Sequence, residues 1–371
     1  MKIIIRNCNV AELDIPLKYA TKLYNEFAIR HPNAFYLRTR QRGMQNWDGK
    51  IKYITKTGQF KIGLLPSVYK RCIELGIKPI IVDMRQPLPK VSKVVTQIGK
   101  YKLRPEQEKA VKAILSNKLG ETPFQIGVLD YTVNAGKTLI MSALYLSYKK
   151  QLKTLLITND SDWLNQARDE FKQYLPGEDI TFVQGKVLNW SNFTIGMVQS
   201  ISRNMKYYQN ELAKIDMVLI DEADQGGSKQ YQNVITRLFN TRVRIGLSGT
   251  IYMSKLAKDK VKNMNLRCFF GDVIAEFKLK DSIKKGYSTK TIVKTVEGKP
   301  WFGNWESDCM SYNEIYDDSI THNKIAWTMA LDRLKWNLNQ GRYPALVVCK
   351  HIAHCENLYK FFKKKLGDAY N

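Results

Sequence analysis

The sequence has no long apolar run and no ordered pattern of cysteines. Across 371 residues no stretch approaches 18 consecutive apolar side chains, which argues against a transmembrane helix. The first ten residues have only a short apolar run and no small-residue cleavage site, which argues against a signal peptide. The six cysteines form no Cys-x-x-Cys pair, as expected of reduced thiols. We therefore expect a cytoplasmic protein with no membrane partner.

Acidic residues are scarce. The chain has 34 Asp and Glu against 59 Lys and Arg, a net charge of +25. An apolar content of 44% is ordinary for a globular protein, so the excess of positive charge lies on a folded chain. A basic surface attracts polyanions, and nucleic acid is therefore the first candidate partner.

Residues 1–90 predict a small basic α+β domain. This segment contains 17 Lys and Arg against 6 Asp and Glu. Its apolar patterns place strands at 2–5, 34–39, 50–54, 60–65 and 79–83 and helices at 16–29 and 67–76. The following residues, 84–93, carry two prolines and mixed charge and are typical of a linker.

Residues 95–285 predict an α/β lobe with a parallel sheet. Continuous apolar runs alternate with helical stretches at 126–130, 154–158, 194–198, 217–220 and 243–247. Such runs are typical of strands buried on both faces, with helices covering the sheet on both sides. Residues 286–371 predict the start of a second lobe, with a helix at about 320–340 and a buried strand at 344–349.

A phosphate-binding loop is indicated at residues 130–140, DYTVNAGKTLI. It follows a buried strand and opens a helix, which is the setting that such a loop requires. We expect the backbone N–H groups of Asn134, Ala135 and Gly136 to hold the phosphates of ATP. Lys137 would reach the β- and γ-phosphates, and the Thr138 hydroxyl would hold Mg²⁺.

An acidic pair ends another predicted strand, in MVLIDEAD. Asp221 would hold Mg²⁺, and Glu222 would accept a proton from the attacking water. An Asp-Glu pair after a strand also fits a solvated turn or a helix N-cap. However, the sequence GLSGT at 246–250 ends a further strand, and the carboxyl ends of parallel strands meet at one edge of a sheet. The convergence of three loops favours a nucleotide site.

These motifs resemble those of superfamily 2 helicases. The loop with Lys137 and Thr138, the DEAD tetrapeptide at 221–224 and the Ser-Gly-Thr at 248–250 are similar to the family's motifs I, II and III. QNWDGKI at 45–51, before that core, is more closely similar to the phage UvsW type of recombination and fork-remodelling helicase. The resemblance implies a small N-terminal domain before two RecA-like lobes, ATP-driven movement on forked, branched or RNA–DNA hybrid substrates, and a location in the host cytoplasm.

The resemblance also implies roles for individual residues. Gln107, in YKLRPEQEKAV, would pair with the adenine edge, and Ser248 and Thr250 would couple the γ-phosphate to the grip on DNA. The motifs that contact nucleic acid in this family correspond to positions around Gln166, Gln199 and Ser200.

The chain departs from the family pattern in two places. Tyr131 stands where a small residue is common, and Val133 stands where threonine is usual. The 85 residues from Tyr287 onward are too few for a complete second lobe, and no stretch after HIAHC matches the motif that supplies an arginine finger. We therefore expect an incomplete second RecA-like lobe, with the finger supplied by a second copy or by a missing lobe.

The basic N-terminal segment interleaves cations with aromatic residues. The cations that would neutralise DNA phosphates are Arg38, Arg40, Arg42 and Lys50. Trp47 would either stack on an unpaired base or lie in the core of a small sheet, and core aromatics are the commoner case.

The sequence leaves three functions open. The first is a DNA-dependent ATPase and helicase in which Lys137, Thr138, Asp221 and Glu222 carry the chemistry. The second is a module that binds ATP and DNA without turning ATP over by itself. The third, a packaging-type ATPase motor, also uses a phosphate loop and an Asp-Glu pair but does not predict Ser-Gly-Thr at 248–250.

Overall fold

The structure is a computed structural model that describes residues 1–41, 43–185, 187–252, 259–290, 311–342 and 345–367. The chain divides into two compact units, Met1–Lys290 and Thr291–Asn371. The described residues contain these strands: β1 Lys2–Ile5, β2 Val10–Asp14, β3 Ala28–Arg30, β4 Lys50–Lys52, β5 Gln59–Lys61, β6 Ile80–Asp83, β7 Gln97–Ile98, β8 Tyr101–Lys102, β9 Lys118–Leu119, β10 Thr122–Pro123, β11 Ile126–Tyr131, β12 Thr154–Thr158, β13 Ile180–Gln184, β14 Val187–Leu188, β15 Phe193–Met197, β16 Met217–Asp221, β17 Val243–Ser248 and β18 Val273–Phe277.

The α-helices of the described residues cover both units. They are α1 Leu17–Glu26, α2 Ala34–Arg40, α3 Leu65–Glu74, α4 Pro105–Leu115, α5 Lys137–Ser147, α6 Ser161–Tyr174, α7 Val198–Arg203, α8 Met205–Leu212, α9 Lys229–Ile235, α10 Asp259–Phe270, α11 Leu279–Lys284, α12 Tyr312–Tyr316, α13 Lys324–Asn339 and α14 Ile352–Leu366. Short 3₁₀ turns lie at Ile62–Leu64 and Ala223–Gln225, and a π-helical turn lies at Asp317–Thr321.

The first unit is built on an eight-stranded sheet. Its strand order is β14-β13-β15-β12-β16-β17-β11-β18. Seven strands run parallel, and β14 pairs antiparallel with β13 at one edge. The predicted α/β fold with a parallel sheet is therefore confirmed. The five predicted apolar runs form the central strands β11, β12, β15, β16 and β17.

Burial on both faces explains why these strands have continuous apolar runs. All five residues of β16 are buried. Val218 and Ile220 join one hydrophobic cluster, whereas Leu219 on the opposite face joins another. Each such side chain contributes roughly 1.5 to 3 kcal/mol when it is fully buried. A polar residue on either face would therefore weaken the sheet.

The N-terminal part of this unit forms a four-stranded sheet of order β5-β2-β1-β6, and β3 and β4 form a separate hairpin. Ile3 and Ile5 join the same cluster as Val218. At Gly63 an added Cβ would lie 2.2 Å from the carbonyl oxygen of Arg267, so glycine permits the backbone to approach α10 closely. The residues between β6 and β7 have no regular secondary structure, and the domain boundary near 90 stays a prediction.

Two predicted strands are wrong. Residues 34–39 form most of helix α2, in which Ala34 is buried and Phe35 is 80% exposed. Adjacent exposed aromatic residues break the period of two that a half-buried strand needs. In the second unit the described residues 345–349 form no strand, and Leu346 and Val348 are exposed. A buried strand needs hydrogen-bonded neighbours, and the described residues of this unit contain none.

The sequence patterns also miss β2, β13 and β18. In β18 the burial pattern alternates irregularly between exposed and buried positions, and it lies at the edge of the sheet beside β11. The shorter apolar pattern of an edge strand is a weaker signal than the continuous runs of the central strands. In the second unit α13 and α14 pack through a small cluster of Leu331, Leu358 and Phe362.

Candidate nucleotide site and nucleic-acid surface

The predicted motifs meet at the carboxyl edge of the large sheet. β11 leads into the loop at 132–136, β16 ends at Asp221, and β17 ends at Ser248. These strands are parallel neighbours in the order β16-β17-β11, so their following loops lie side by side. Ligands of open α/β sheets bind at this edge.

The loop between β11 and α5 takes a conformation that favours glycine. Asn134 has φ of 63° and Gly136 has φ of 72°, both in the left-handed region. An added Cβ on Gly136 would lie 2.4 Å from the Gln107 side-chain nitrogen, so any larger residue must displace that amide. α5 begins directly afterwards, at Lys137. A helix start with free backbone N–H groups is suited to phosphate.

The two departures from the family pattern have simple structural accounts. Tyr131 is the last residue of β11 and is fully buried, and its hydroxyl donates to the Glu106 carbonyl oxygen at 2.8 Å. Val133 is largely exposed to solvent. The Tyr131 ring therefore belongs to the core beneath α4, and neither change disturbs the backbone geometry around Gly136.

The structure brings Lys137 to both predicted acids. Its Nζ lies 3.3 Å from Asp221 Oδ1 and 3.5 Å from Glu222 Oε1. The Asp221 contact is an ion pair whose geometry leaves Oδ1, although buried, without a hydrogen bond. A buried carboxylate oxygen that lacks a donor is a fitting ligand for Mg²⁺, and Thr138 is the second residue of α5, directly after Lys137. The residues present therefore fit a magnesium ion.

Glu222 has a strained backbone and a perturbed carboxyl group. Its φ is 50°, which is unusual for a residue with a side chain. Burial raises the pKa of Glu222, the carboxylates of Asp221 and Asp224 raise it further, and the Lys137 ammonium opposes them. With 45% of its side chain exposed, Glu222 is accessible to water and to a reacting group.

Ser248 links the second and third motifs. It is fully buried, and its Oγ donates to Asp224 Oδ1 at 3.0 Å and accepts from the Thr250 backbone N–H at 3.2 Å. Thr250 itself is exposed. Asp224 was not among the predicted site residues, although it is the last residue of the DEAD tetrapeptide. The hydrogen bond between Ser248 and Asp224 joins the end of β17 to the loop that follows β16.

Gln107 is buried beside the phosphate loop. Its Oε1 accepts from the Arg104 backbone N–H at 2.8 Å, and its Nε2 donates to the Ala135 carbonyl oxygen at 2.9 Å. Sequence reasoning missed Arg104, whose Nη2 donates to the Asn134 carbonyl oxygen at 3.1 Å and whose guanidinium lies 4.3 Å from the Tyr287 ring centroid. Arg104 lies within the quoted YKLRPEQEKAV, but the sequence does not reveal its pairing with Tyr287.

The motifs that the resemblance assigns to nucleic acid lie on and beside helices at this edge. Gln166 is exposed on α6 and donates to Glu170 at 2.9 Å. Gln199 donates to the Asn159 carbonyl oxygen at 3.1 Å, and the Ser200 hydroxyl accepts from the Gly185 N–H at 2.9 Å. A cavity of about 410 Å³ lies between the two acids and the start of α6, lined by Thr158, Asn159, Asp160, Ser161, Trp163, Asp221, Glu222 and Gln225.

The described N-terminal cations lie on α2 and β4. Arg38 and Arg40 are exposed on α2, and the Arg40 guanidinium lies 5.0 Å from the Tyr36 ring centroid. Lys50 is exposed in β4. Trp47 is half-buried and donates to the Lys50 carbonyl oxygen at 3.0 Å. Arg42 lies outside the described residues.

No helix in the described ranges is long and apolar enough to cross a membrane.

Comparison with known proteins adds an independent line of support. The family model "Type III restriction enzyme, res subunit" matches residues 100–253, which carry all three motifs. The ATP-dependent DNA helicase uvsW of Enterobacteria phage T4 is 22% identical over 354 residues, which is 88% of this chain and 66% of that protein. The chain thus spans about two thirds of the length of this curated relative.

Two solved structures share the fold. A crystal structure of the UvsW helicase from bacteriophage T4 superposes on this chain with a TM-score of 0.59 and 21% sequence identity. The match covers 74% of this chain and 100% of the chain in that structure. A second crystal structure of T4 UvsW superposes with a TM-score of 0.57 and 20% sequence identity. That match covers 98% of this chain and 73% of the chain in that structure. The predicted likeness to superfamily 2 helicases of the UvsW type is confirmed.

Proposed function

From the premise that this chain is a UvsW-like superfamily 2 protein, we propose that it is an ATP-dependent DNA helicase or translocase. It couples ATP hydrolysis to strand movement on forked or branched DNA or on RNA–DNA hybrids. The observation that carries the proposal is the convergence of Lys137, Asp221 and Glu222, with Nζ within 3.5 Å of both carboxylates, beside a left-handed glycine loop. A chance Gly-Lys-Thr would not place its lysine on an acidic pair from another strand.

ATP is bound mainly by the loop backbone. The N–H groups of residues 134–136 and of the first turn of α5 hold the phosphates, and Lys137 exchanges its contact with the acids for the β- and γ-phosphates. The adenine lies near Gln107 and Arg104, which both contact the carbonyl groups of this loop. Binding of the base frees the Gln107 amide from Ala135 to pair with the adenine edge.

Glu222 acts as the general base. It accepts a proton from a water molecule as the water oxygen forms a bond to the γ-phosphorus and the bond from that phosphorus to the ADP oxygen breaks. Burial, together with the carboxylates of Asp221 and Asp224, raises the pKa of Glu222 and so makes its carboxylate a stronger proton acceptor. Thr138 and Asp221 would hold a magnesium ion, which neutralises charge on the phosphates when bound.

Ser248 and Thr250 carry the state of the acidic loop to the grip on DNA. The bond from Ser248 to Asp224 ties the end of β17 to the loop that follows β16, so a shift of one moves the other. Gln166, Gln199 and Ser200 at the same edge, with Arg38, Arg40, Arg42 and Lys50 of the N-terminal part, contact the nucleic acid. The exposed cations among them bind phosphates without reading sequence.

The experiment is ATP hydrolysis by the purified chain, with and without single-stranded and branched DNA. We expect stimulation by DNA, and we expect Glu222→Gln to bind ATP normally while losing turnover by about 10² to 10⁴-fold. Glu356→Gln, an exposed position in the second unit, is the matched control and should keep full activity. Normal hydrolysis by Glu222→Gln would overturn the assignment.

A second function is an ATP- and DNA-binding module without turnover of its own. It is favoured by the described residues of the second unit, 311–342 and 345–367, which contain helices but no strand of a second lobe. Binding of ATP and DNA with flat turnover would select this function. Turnover that rises more steeply than protein concentration would instead indicate that a second copy supplies an arginine.

A further inference from the structure

A second cavity lies at the opposite edge of the large sheet. It measures about 800 Å³ and opens between the residues that follow β6 and the part of the lobe around α4, β10 and the start of β17. Its apolar wall includes Leu88, Val91, Val94, Leu115 and Tyr148. This volume is within the range of small-molecule sites in proteins, and an apolar wall with polar groups at one end is typical of them.

Two buried arginines form the polar end of this cavity. Arg85 is 2% exposed and donates through Nε and Nη2 to Asp83 at 2.8 and 2.9 Å. Arg242 is 9% exposed, and its Nη2 lies 3.3 Å from the same carboxylate while its Nη1 donates to the Gln86 carbonyl oxygen. One carboxylate therefore serves two guanidinium groups.

A third arginine increases the imbalance. Arg244 is fully buried and is bound to neutral oxygens only, with Nη2 at 2.8 Å from both the Cys8 carbonyl and Asn9 Oδ1 and Nη1 at 3.2 Å from the Phe269 carbonyl. Asp83 is the one carboxylate that pairs with any of the three arginines in the described ranges. Unneutralised buried charge is costly, so a region with three cations and one anion favours a further anion.

Unpaired guanidinium donors also favour the binding of a further anion. Arg242 Nε is buried without a hydrogen-bond partner, and Arg85 Nη1 has no oxygen or nitrogen acceptor, with the Cys8 thiol beside its guanidinium. A buried donor that lacks a partner is destabilising, and more so when the group is charged. Burial, followed by the charge of Arg85, lowers the pKa of Arg242, as expected of a cation that is short of counter-charge.

We propose that this cavity binds a small organic anion, a phosphate or carboxylate attached to an apolar body. The anionic group approaches Arg85 and Arg242, and the body lies along Leu88, Val91 and Val94. Lys90 adds positive charge to the lining, Lys112 is paired with Glu108 at 3.2 Å, and Glu121 is almost fully exposed. Because the two guanidinium groups are buried between side chains, they suit a small ligand better than a polymer backbone.

The probe is phenyl phosphate, titrated by calorimetry into the Lys137→Ala chain so that the phosphate loop does not compete for it. Benzoate tests the carboxylate form, and benzyl alcohol is the neutral control. We expect both anions to bind and benzyl alcohol to bind at least about tenfold more weakly, since hydrogen bonds to charged groups contribute about 1.5 to 3 kcal/mol.

Four variants locate the binding. Val91→Trp fills the cavity and should abolish binding, whereas Ile80→Trp adds the same bulk at an exposed position and should leave it unchanged. Lys90→Met should weaken binding up to about fivefold, the size of an exposed charge contribution. Arg85→Met should weaken it by tenfold or more, and if that variant fails to fold, the first two decide the matter.

Several results would overturn the proposal. Equal binding of phenyl phosphate and benzyl alcohol would mean that charge plays no part. Unchanged affinity in Val91→Trp would place the probe elsewhere. Displacement of phenyl phosphate by a short DNA oligonucleotide would show that the cavity belongs to the nucleic-acid surface instead of a small-molecule site.

Discussion

The two edges of the large sheet carry opposite excesses of charge. At the carboxyl edge the Lys137 ammonium lies within 3.5 Å of Asp221 and Glu222, and Asp224 follows in the same loop. The Lys137 ammonium thus lies against two carboxylates, and a third follows two residues further along the loop. At the amino end of β17 the imbalance is reversed, because two buried arginines, Arg85 and Arg242, share the carboxylate of Asp83 and the buried Arg244 contacts neutral oxygens only.

The two edges also differ in how they are built. The carboxyl edge consists of loops that follow consecutive strands of one sheet, with Glu222 half-exposed. The amino edge joins distant parts of the chain, since Arg244 contacts Cys8 across 236 residues. An excess of charge in a folded protein is costly unless something of opposite sign binds. This difference in charge underlies the two proposals, a nucleotide and magnesium site at the carboxyl edge and an anion site at the amino edge.

The largest expected effect is that of Lys137→Met, which removes the ammonium group from the carboxyl edge. It leaves Asp221 and Glu222 without their ammonium group and removes the proposed contact to the phosphates. We expect ATP turnover to fall by about 10² to 10³-fold, the usual loss when one electrostatic donor is removed from a reacting centre. Steady-state hydrolysis with saturating DNA measures it. Lys118→Met, at an exposed position, is the control, and normal turnover in Lys137→Met would mean that nucleotide is hydrolysed elsewhere.

Arg244→Met should destabilise the fold at the amino edge. It removes the donor from the Cys8 carbonyl, Asn9 Oδ1 and the Phe269 carbonyl, which then lie buried without a partner. We expect the free energy of unfolding to fall by about 2 to 4 kcal/mol, since each unsatisfied acceptor costs about 1 to 3 kcal/mol and relief of the buried charge offsets part of it. Denaturant unfolding compares it with exposed Arg203→Met. Equal or higher stability would mean that desolvation of the guanidinium dominates.

The carboxyl edge could be predicted from the sequence and the amino edge could not, for a physical reason. Lys137, Asp221 and Ser248 each follow a continuous apolar run, so a local pattern locates the strand end and the parallel sheet brings the ends together. Arg244 lies inside the run VRIGL, and its burial depends on contacts with the first strands of the chain. No window of sequence contains that information.

Local patterns fail in a second way at α2. Residues 34–39 contain apolar residues that suggest a strand, but the structure forms a helix with Phe35 and Tyr36 directed to solvent beside Arg38 and Arg40. Neither aromatic side chain, Phe35 or Tyr36, is buried. The predicted nucleic-acid role of the arginines stays a prediction, and an exposed aromatic pair beside them is compatible with stacking on bases.

Ser248→Ala removes a hydrogen bond at the carboxyl edge and leaves the charged side chains there in place. It deletes a hydrogen bond to the ionised Asp224, worth about 1.5 to 3 kcal/mol, which corresponds to about tenfold or more in coupling. We expect ATP turnover to stay within about threefold while the DNA strands separated per ATP fall about tenfold. Paired ATPase and strand-displacement assays measure this ratio, with exposed Ser228→Ala as the control. A proportional loss of both activities would contradict a coupling role.

The smallest expected effect concerns the pH dependence of stability at the carboxyl edge. The folded-state pKa of Glu222 is raised above its ordinary value of 4.5 by burial and by Asp221 and Asp224, so the folded chain binds this proton more tightly than the unfolded chain. The ionised carboxylate therefore destabilises the fold above that pKa. Glu222→Gln should increase stability at neutral pH, by less than about 1 kcal/mol because the group is half-exposed.

The gain should disappear as pH falls below about 4.5, where both states are protonated. Glu26→Gln is a matched control of opposite sign. A hydrogen bond from Arg71 lowers the pKa of Glu26, so its loss should destabilise the chain at neutral pH and have no effect in acid. Thermal unfolding of both variants between pH 4 and 7, compared with the parent chain, measures the two slopes. If both variants lose stability at neutral pH, the Lys137 ammonium outweighs the burial of Glu222, and the carboxyl edge holds no excess of negative charge.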